Sequence, residues 1–223
     1  MTGTAHSTPT DLVRRWERGW RECRGWATPE EARGGLHSIQ DQPSRYREII
    51  ALHDDEATVR TLGEEAAAAT RTTWVTVATT RPDDVEHTLR AAGMKPRDTR
   101  EHLMTRPLAD HPTRTPAAPY RVTTTSTGTL LKVEVHAQVD GGEALAASGQ
   151  TSVVNGHAVP DKIETQPDHR RRGLGTVVMG TLVTEAADLG AHTGILVASP
   201  DGQALYTSLG WITVATIVIA TNV

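Results

Sequence analysis

The sequence contains no phenylalanine and a single cysteine, Cys23. One thiol excludes an intrachain disulfide and any metal site built from several cysteines. Without Phe, the interior falls to Leu, Val, Ile and five Trp. No apolar run approaches the ~20 residues that span a bilayer, and the opening Met1–His6 lacks the basic-then-apolar layout of a signal peptide. The default reading is a soluble, cytoplasmic protein with no membrane partner. The ten histidines lack ligand spacing such as His-x-x-x-His, so no metal is expected. No Gly-x-Ser-x-Gly elbow or Walker loop is present, which argues against the common hydrolase and nucleotide-triphosphatase classes. A net charge of −4 offers no electrostatic reason to expect a nucleic-acid partner.

What the chain does have is concentrated between His169 and Leu182. A basic, glycine-punctuated turn, His169-Arg170-Arg171-Arg172-Gly173-Leu174-Gly175, runs directly into an apolar-periodic segment. A helix starting near Gly175 leaves its first amides without intrahelical partners. Those amides, the positive end of the helix dipole and three arginines together make a phosphate pocket.

The flanks divide at a proline-rich stretch. Pro107, Pro112, Pro116 and Pro119 exclude helix and central strand there and mark a linker. Before it, Thr8 and Pro9 start a helix on which Leu12, Trp16, Trp20 and Cys23 share one face. That spacing favours core contact for the Trp stripe over a ligand cage. Strands are expected at 34–39, 46–52, 74–78 and 101–105, with helices over 57–71 and from Pro82 to Leu89.

After the linker, Thr127-Gly128, Asp140-Gly141 and Asn155-Gly156 mark the turns of a four-strand antiparallel meander over 120–165. A helix then carries Val178, Leu182, Ala186 and Leu189 on one face. A strand at 194–198, a helix over 201–209 and a last strand over 211–220 complete an α+β order with a mixed sheet.

Two blocks carry a family resemblance. The first is Ile163-Glu164-Thr165-x-Pro167-x-His169-Arg170-Arg171-Arg172-Gly173-Leu174-Gly175; the second is Ala204-Leu205-Tyr206-Thr207-Ser208-Leu209-Gly210-Trp211. In this order, with a helix and a strand between them, they resemble the GNAT superfamily of acyl-CoA-dependent N-acetyltransferases. The resemblance covers roughly residues 120–223. It implies a GNAT-like mixed sheet with flanking helices over 116–223, and an additional N-terminal α/β lobe over 1–115 serving as the acceptor-side wall. That lobe is read as a degenerate GNAT-like copy, in which Leu89 stands where Tyr206 stands, or as an unrelated helical cover.

The resemblance further implies acetyl-CoA as cosubstrate. It places pyrophosphate on the amides from Arg170 to Gly175, including Arg171, Arg172, Gly173 and Leu174, and pantetheine beside Ile163, Glu164 and Thr165. Ser199 stands where many relatives carry a pantetheine-bonding asparagine, and Tyr206 is the expected acid. A strand bulge would free a backbone amide for the thioester carbonyl. Glu164 and Asp161 are the candidates for the base. The family's two helices after its first strand are missing from this half. The leading function is acetyl transfer to a small-molecule amine; the alternatives are a protein or peptide N-acetyltransferase and a non-catalytic CoA sensor. The oligomeric state stays open, with a homodimer among the options.

Overall fold

In a computed structural model describing residues 8–223, the first helix begins at a reciprocal cap; the signal-peptide reading of Met1–His6 lies outside the described residues. The Thr8 hydroxyl accepts the Asp11 amide and the Asp11 carboxylate accepts the Thr8 amide. The helix ends on Gly25 at a φ of 67°, a left-handed geometry that glycine adopts without a side-chain clash.

The first half runs α1 (Pro9–Arg24), β1 (Glu30–Ala32), β2 (Gly35–Gln42), β3 (Arg45–Ala51), α2 (Glu56–Ala67), β4 (Thr73–Thr79), α3 (Pro82–Ala91), β5 (Lys95–Pro96) and β6 (Glu101–Pro107). The second runs β7 (Tyr120–Thr127), β8 (Leu130–Val139), β9 (Gly142–Val154), β10 (His157–Thr165), α4 (Leu174–Asp188), β11 (Thr193–Ala198), α5 (Pro200–Ser208) and β12 (Ile212–Thr221). A short 3-10 turn at Pro167–His169 precedes α4. The expected meander is present, with β7, β8, β9 and β10 antiparallel in sequence. The helix expected over 57–71 stops at Ala67, and Leu189, expected on the buried face of α4, is exposed because the helix has already ended there.

All strands join one sheet in the order β1-β2-β3-β4-β12-β6-β11-β10-β9-β8-β7, with β5 at the side of β12. Among the described residues, strand β6, from the first half, pairs only with β11 and β12, and strand β12, from the second, only with β4, β5 and β6. The halves thus exchange their last strands. Both follow one order, strand, helix, parallel strand, helix and a final strand, with β3 parallel to β4 and β10 parallel to β11. The two parallel pairs differ in length. Strands β3 and β4 stay paired from Arg47↔Thr73 to Ala51↔Val77, whereas β10 and β11 pair only at His157↔Thr193 and Ala158↔Gly194 and then part.

Helices α2 to α5 cover one face. There Ile49, Val75, Val77 and Val218 pack on α2 and α3, and Leu196 and Met104 pack on α4 and α5. Among the described residues, α1 is the one helix on the other face, crossing β9, β10 and β11. Its Val13, Trp16 and Trp20 are buried against Leu103, Val159, Ile195 and Ile217, each contributing about 1.5–3 kcal/mol. Leu12, expected in that stripe, is only partly buried, and Val13 takes the deeper position.

Two polar side chains of β9 seat the helix. Ser152 Oγ donates to the Gly19 carbonyl at 2.9 Å, and Gln150 Nε2 donates to the Cys23 carbonyl at 3.0 Å. The proline-rich segment 108–119 forms neither helix nor strand, as its prolines require. It is packed rather than free: a Cβ on Gly180 of α4 would come within 3.0 Å of Thr113 Cα.

Candidate active site at the parting of two strands

The parting of β10 from β11 opens a groove of about 820 Å³. Its first wall is the end of β10, with Ile163, Glu164 and Thr165. The strand is irregular here. Register against β9 slips between Asp161 and Glu164, and Lys162 takes a φ of 53°, so the expected bulge is present. Beyond Ala158 the β10 edge has no ladder partner on the β11 side among the described residues.

The groove's second wall is the basic turn. Arg171 at a φ of 62° and Gly173 at 79° turn the chain twice through left-handed backbone, and Gly173 then caps α4 with no side-chain acceptor. The first turn of α4 carries no acidic residue, so its amides and dipole face the groove uncompensated. Arg170, Arg171, Leu174 and Gly175 line it with Gly173. Arg172 does not. Its guanidinium turns back to the Asp168 carbonyl at 3.3 Å.

The third wall is α5. Ser199 caps it by accepting the Gly202 amide at 3.2 Å, which leaves the hydroxyl hydrogen available to a ligand. One helical turn after Gly202, Tyr206 is buried against Trp211 with ring centroids 6.2 Å apart. Burial, and then the charge of Asp161, pushes its phenol up to about 12, so it stays protonated at neutral pH.

A second cavity, of about 300 Å³, lies under α1 on the opposite face of the sheet. Trp16 and Trp20, stacked at 5.0 Å between ring centroids, form its roof with Arg24. Ile217 and Ile219 of β12 and Val197 of β11 form its floor. The Trp stripe therefore serves both as core and as cavity wall. Three residues, Ile163, Ser199 and Tyr206, line both spaces, so groove and cavity meet at the Tyr206 ring.

The two candidate bases fare differently. Glu164 lines the groove and not the cavity. Asp161 reaches the cavity, but both its oxygens are engaged. Arg24 holds them at 2.5 and 2.7 Å, and Gln150 adds a donor at 3.0 Å. Two carboxylates from the first half, Glu48 and Glu101, also line the cavity. Glu48 accepts from Gln40 at 2.8 Å, Arg45 at 2.9 Å and Thr76 at 2.6 Å. Neither was accessible to motif reasoning, because only the exchange of strands carries them to this place. Cys23 is excluded as a nucleophile: burial pushes its thiol up to about 12.

Residues 103–211 match the family model of the acetyltransferase (GNAT) family. This segment is a GNAT acetyltransferase domain. It begins inside β6, so the match itself includes a strand from the first half. Among solved structures, the chain is similar to a GCN5-related N-acetyltransferase from Kribbella flavida at 16% identity, with a TM-score of 0.72, covering 97% of this chain and 96% of that one. It is also similar to a tandem GNAT protein from the clavulanic acid biosynthesis pathway at 14% identity, TM-score 0.61, covering 99% and 90%. A third is a GCN5-related N-acetyltransferase-like protein from Streptococcus suis at 9% identity, TM-score 0.55, covering 96% and 100%. At these identities the likeness is one of fold, and it extends over both halves. No protein of curated function matches the sequence. Among the described residues no helix is long and apolar enough to cross a membrane.

Proposed function

We propose that the protein transfers the acetyl group of acetyl-CoA to the amine of a small molecule. The observation that carries this is the meeting of the two spaces at Tyr206. A groove with an unpaired strand edge and an anion-binding helix end opens onto an aromatic-roofed cavity at one phenol.

The groove fits the cosubstrate's chemistry. Amides from Leu174 onward, with Arg170 and Arg171 beside them, suit a pyrophosphate. The free edge of β10 suits the two amides of a pantetheine arm, which adds along it as an extra strand does. Acetyl-CoA supplies the activated acyl carbon. The bulge at Asp161–Glu164 supports donation of a backbone N–H to the thioester oxygen. Tyr206 donates to the departing sulfur.

The size of the cavity and its cover by α1 favour a small acceptor over an extended peptide, which needs a trough open at both ends. The first half acts as the acceptor wall and binds no CoA. Strands β3 and β4 remain paired where β10 and β11 part. The turn before α2 presents Asp54, Asp55 and Glu56 where α4 is preceded by arginines, and the Asp55 carboxylate already accepts the Thr58 amide at 3.0 Å.

Titration calorimetry with CoA tests the groove, with one site per chain expected; thiol release from acetyl-CoA on adding primary amines tests the transfer. Absence of CoA binding by the full chain overturns the reading.

A further inference from the structure

The exchange of strands brings one more side chain to the junction of groove and cavity. Glu101 opens β6 and pairs with Ile217 of β12. On its other side the β6–β11 ladder ends at His102↔Ala198, so the next positions along it are Glu101 and Ser199. Ser199 is one of the three residues shared by groove and cavity. Leu103 and Ile217 point to the α1 face, and Glu101, two residues before Leu103 on the same strand, points the same way. It lines the cavity.

The other carboxylates on that wall are occupied. Glu48 accepts from Gln40, Arg45 and Thr76, and Asp161 is clasped by Arg24. Glu101 accepts no hydrogen bond and joins no ion pair among the described residues; it feels its neighbours only through space. Half-buried on the cavity wall and without a protein partner, the carboxylate is free to receive a ligand from the cavity.

We propose that Glu101 is the proton acceptor for the incoming amine, and that the acceptor is a small ammonium compound with an apolar body. This rests on the acyl-transfer reading. The ammonium sits between Glu101 and Ser199, while Trp16, Trp20, Ile217 and Ile219 cover the apolar part. One N–H proton passes to the Glu101 carboxylate. The freed lone pair forms the C–N bond at the acyl carbon, and the C–S bond breaks. The sulfur takes the Tyr206 proton. A second nitrogen proton restores the phenol, and Glu101 later returns its own to solvent. An ammonium and a thioester thus become an amide, a thiol and one released proton.

Burial raises Glu101 above the ordinary carboxylate range, and Glu48 adds to this while Arg97 and Arg45 oppose it. Arg24, Asp161, Lys162 and Tyr206 face the same cavity from α1, β10 and α5. A base with a raised pKa lies closer to neutral operating pH, where general-base catalysis is most effective.

The test uses the full chain, acetyl-CoA, and 2-phenylethylamine, tryptamine and hexylamine as probes. Wild-type protein is expected to release CoA thiol at a rate that falls as the pH drops through the raised Glu101 pKa. Glu101→Gln should lower kcat by about 100- to 10,000-fold, lose that acidic limb and keep its CoA affinity; Glu101→Asp should recover part of the rate. Melting curves confirm that both variants fold. Wild-type turnover with an unchanged pH profile in the Gln variant overturns the role of Glu101 and leaves acyl transfer standing. If wild-type protein binds CoA but acetylates none of the three amines, the substrate class and the role of Glu101 both fall. Failure to bind CoA at all removes the acyl-transfer reading beneath them.

Discussion

Arg24 closes a two-pronged ion pair on Asp161, Nε to Oδ2 at 2.5 Å and Nη2 to Oδ1 at 2.7 Å, and so ties the last turn of α1 to the bulge of β10. Asp161 is nearly buried, with 9% of its side chain exposed, while Arg24 keeps 27%. The pair therefore joins the roof of the cavity to the strand that walls the groove.

Removing one partner of a fully buried pair costs about 3–5 kcal/mol. The partial exposure of Arg24 reduces this, and Arg24→Ala should cost about 2 kcal/mol by urea unfolding. The amine KM should rise more than kcat falls, because the loss loosens the roof and leaves Tyr206 in place. An unchanged midpoint in urea would show that Ser152 and Gln150 alone hold the helix.

Gly19 sets how closely α1 lies on the sheet. A Cβ there would come within 2.5 Å of Val159 Cβ, on a rigid branched side chain of the strand. Gly19→Ala should destabilise by about 1–3 kcal/mol through overpacking, despite alanine's better helix propensity. Val159→Ala in the same chain should relieve the clash and restore part of the loss, which thermal melting of the double variant measures.

Tyr206→Phe keeps the ring against Trp211 and removes only the hydroxyl. CoA affinity by calorimetry should stay close to that of the parent, and turnover should fall by about 100- to 10,000-fold. With the phenol pushed up to about 12, it keeps its proton at neutral and mildly alkaline pH, so no loss of activity in that range belongs to Tyr206. Equal turnover in the variant would reduce Tyr206 to a packing residue.

Glu101 has a second signature, in stability. Its folded-state pKa lies above the unfolded value because of burial, so the folded protein binds the proton more tightly. Above both values the native carboxylate is a burden. As pH falls through the folded-state pKa toward the unfolded one, that burden is relieved. Glu101→Gln should therefore melt higher than the parent at neutral pH, with the gap closing under acid. A Gln variant that melts lower at pH 7 would show the carboxylate to have a partner after all.

Much of the second half was legible in the chain itself. The dipeptides Thr127-Gly128, Asp140-Gly141 and Asn155-Gly156 demand left-handed backbone, and strands of alternating polarity on either side leave the meander as the only economical answer. The turn at Arg171–Gly173 and the cap at Ser199 were equally local. What escaped was set at long range. Nothing in Glu101–Pro107 announces that its neighbours are residues 193–198 and 212–217, and nothing in the Trp-bearing α1 says that it docks on β9 and β10. Asp161 looked like a candidate base for the same reason, since its partner Arg24 is remote in sequence. Glu101 and Glu48 belong to no local motif, because the sheet order alone brings them to the cavity.

The crossed arrangement of β6 and β12 makes the two halves inseparable in a way that their internal likeness conceals. A cut within residues 108–119 yields two pieces, each ending in a strand whose every hydrogen-bonding partner belongs to the other piece. Alone, each would bare a long, apolar, unpaired edge of the kind that draws chains into aggregates. Offered together, they hold the means of mutual repair, since each tail is the other's missing strand. Each half thus keeps its last strand paired only by staying joined to the other.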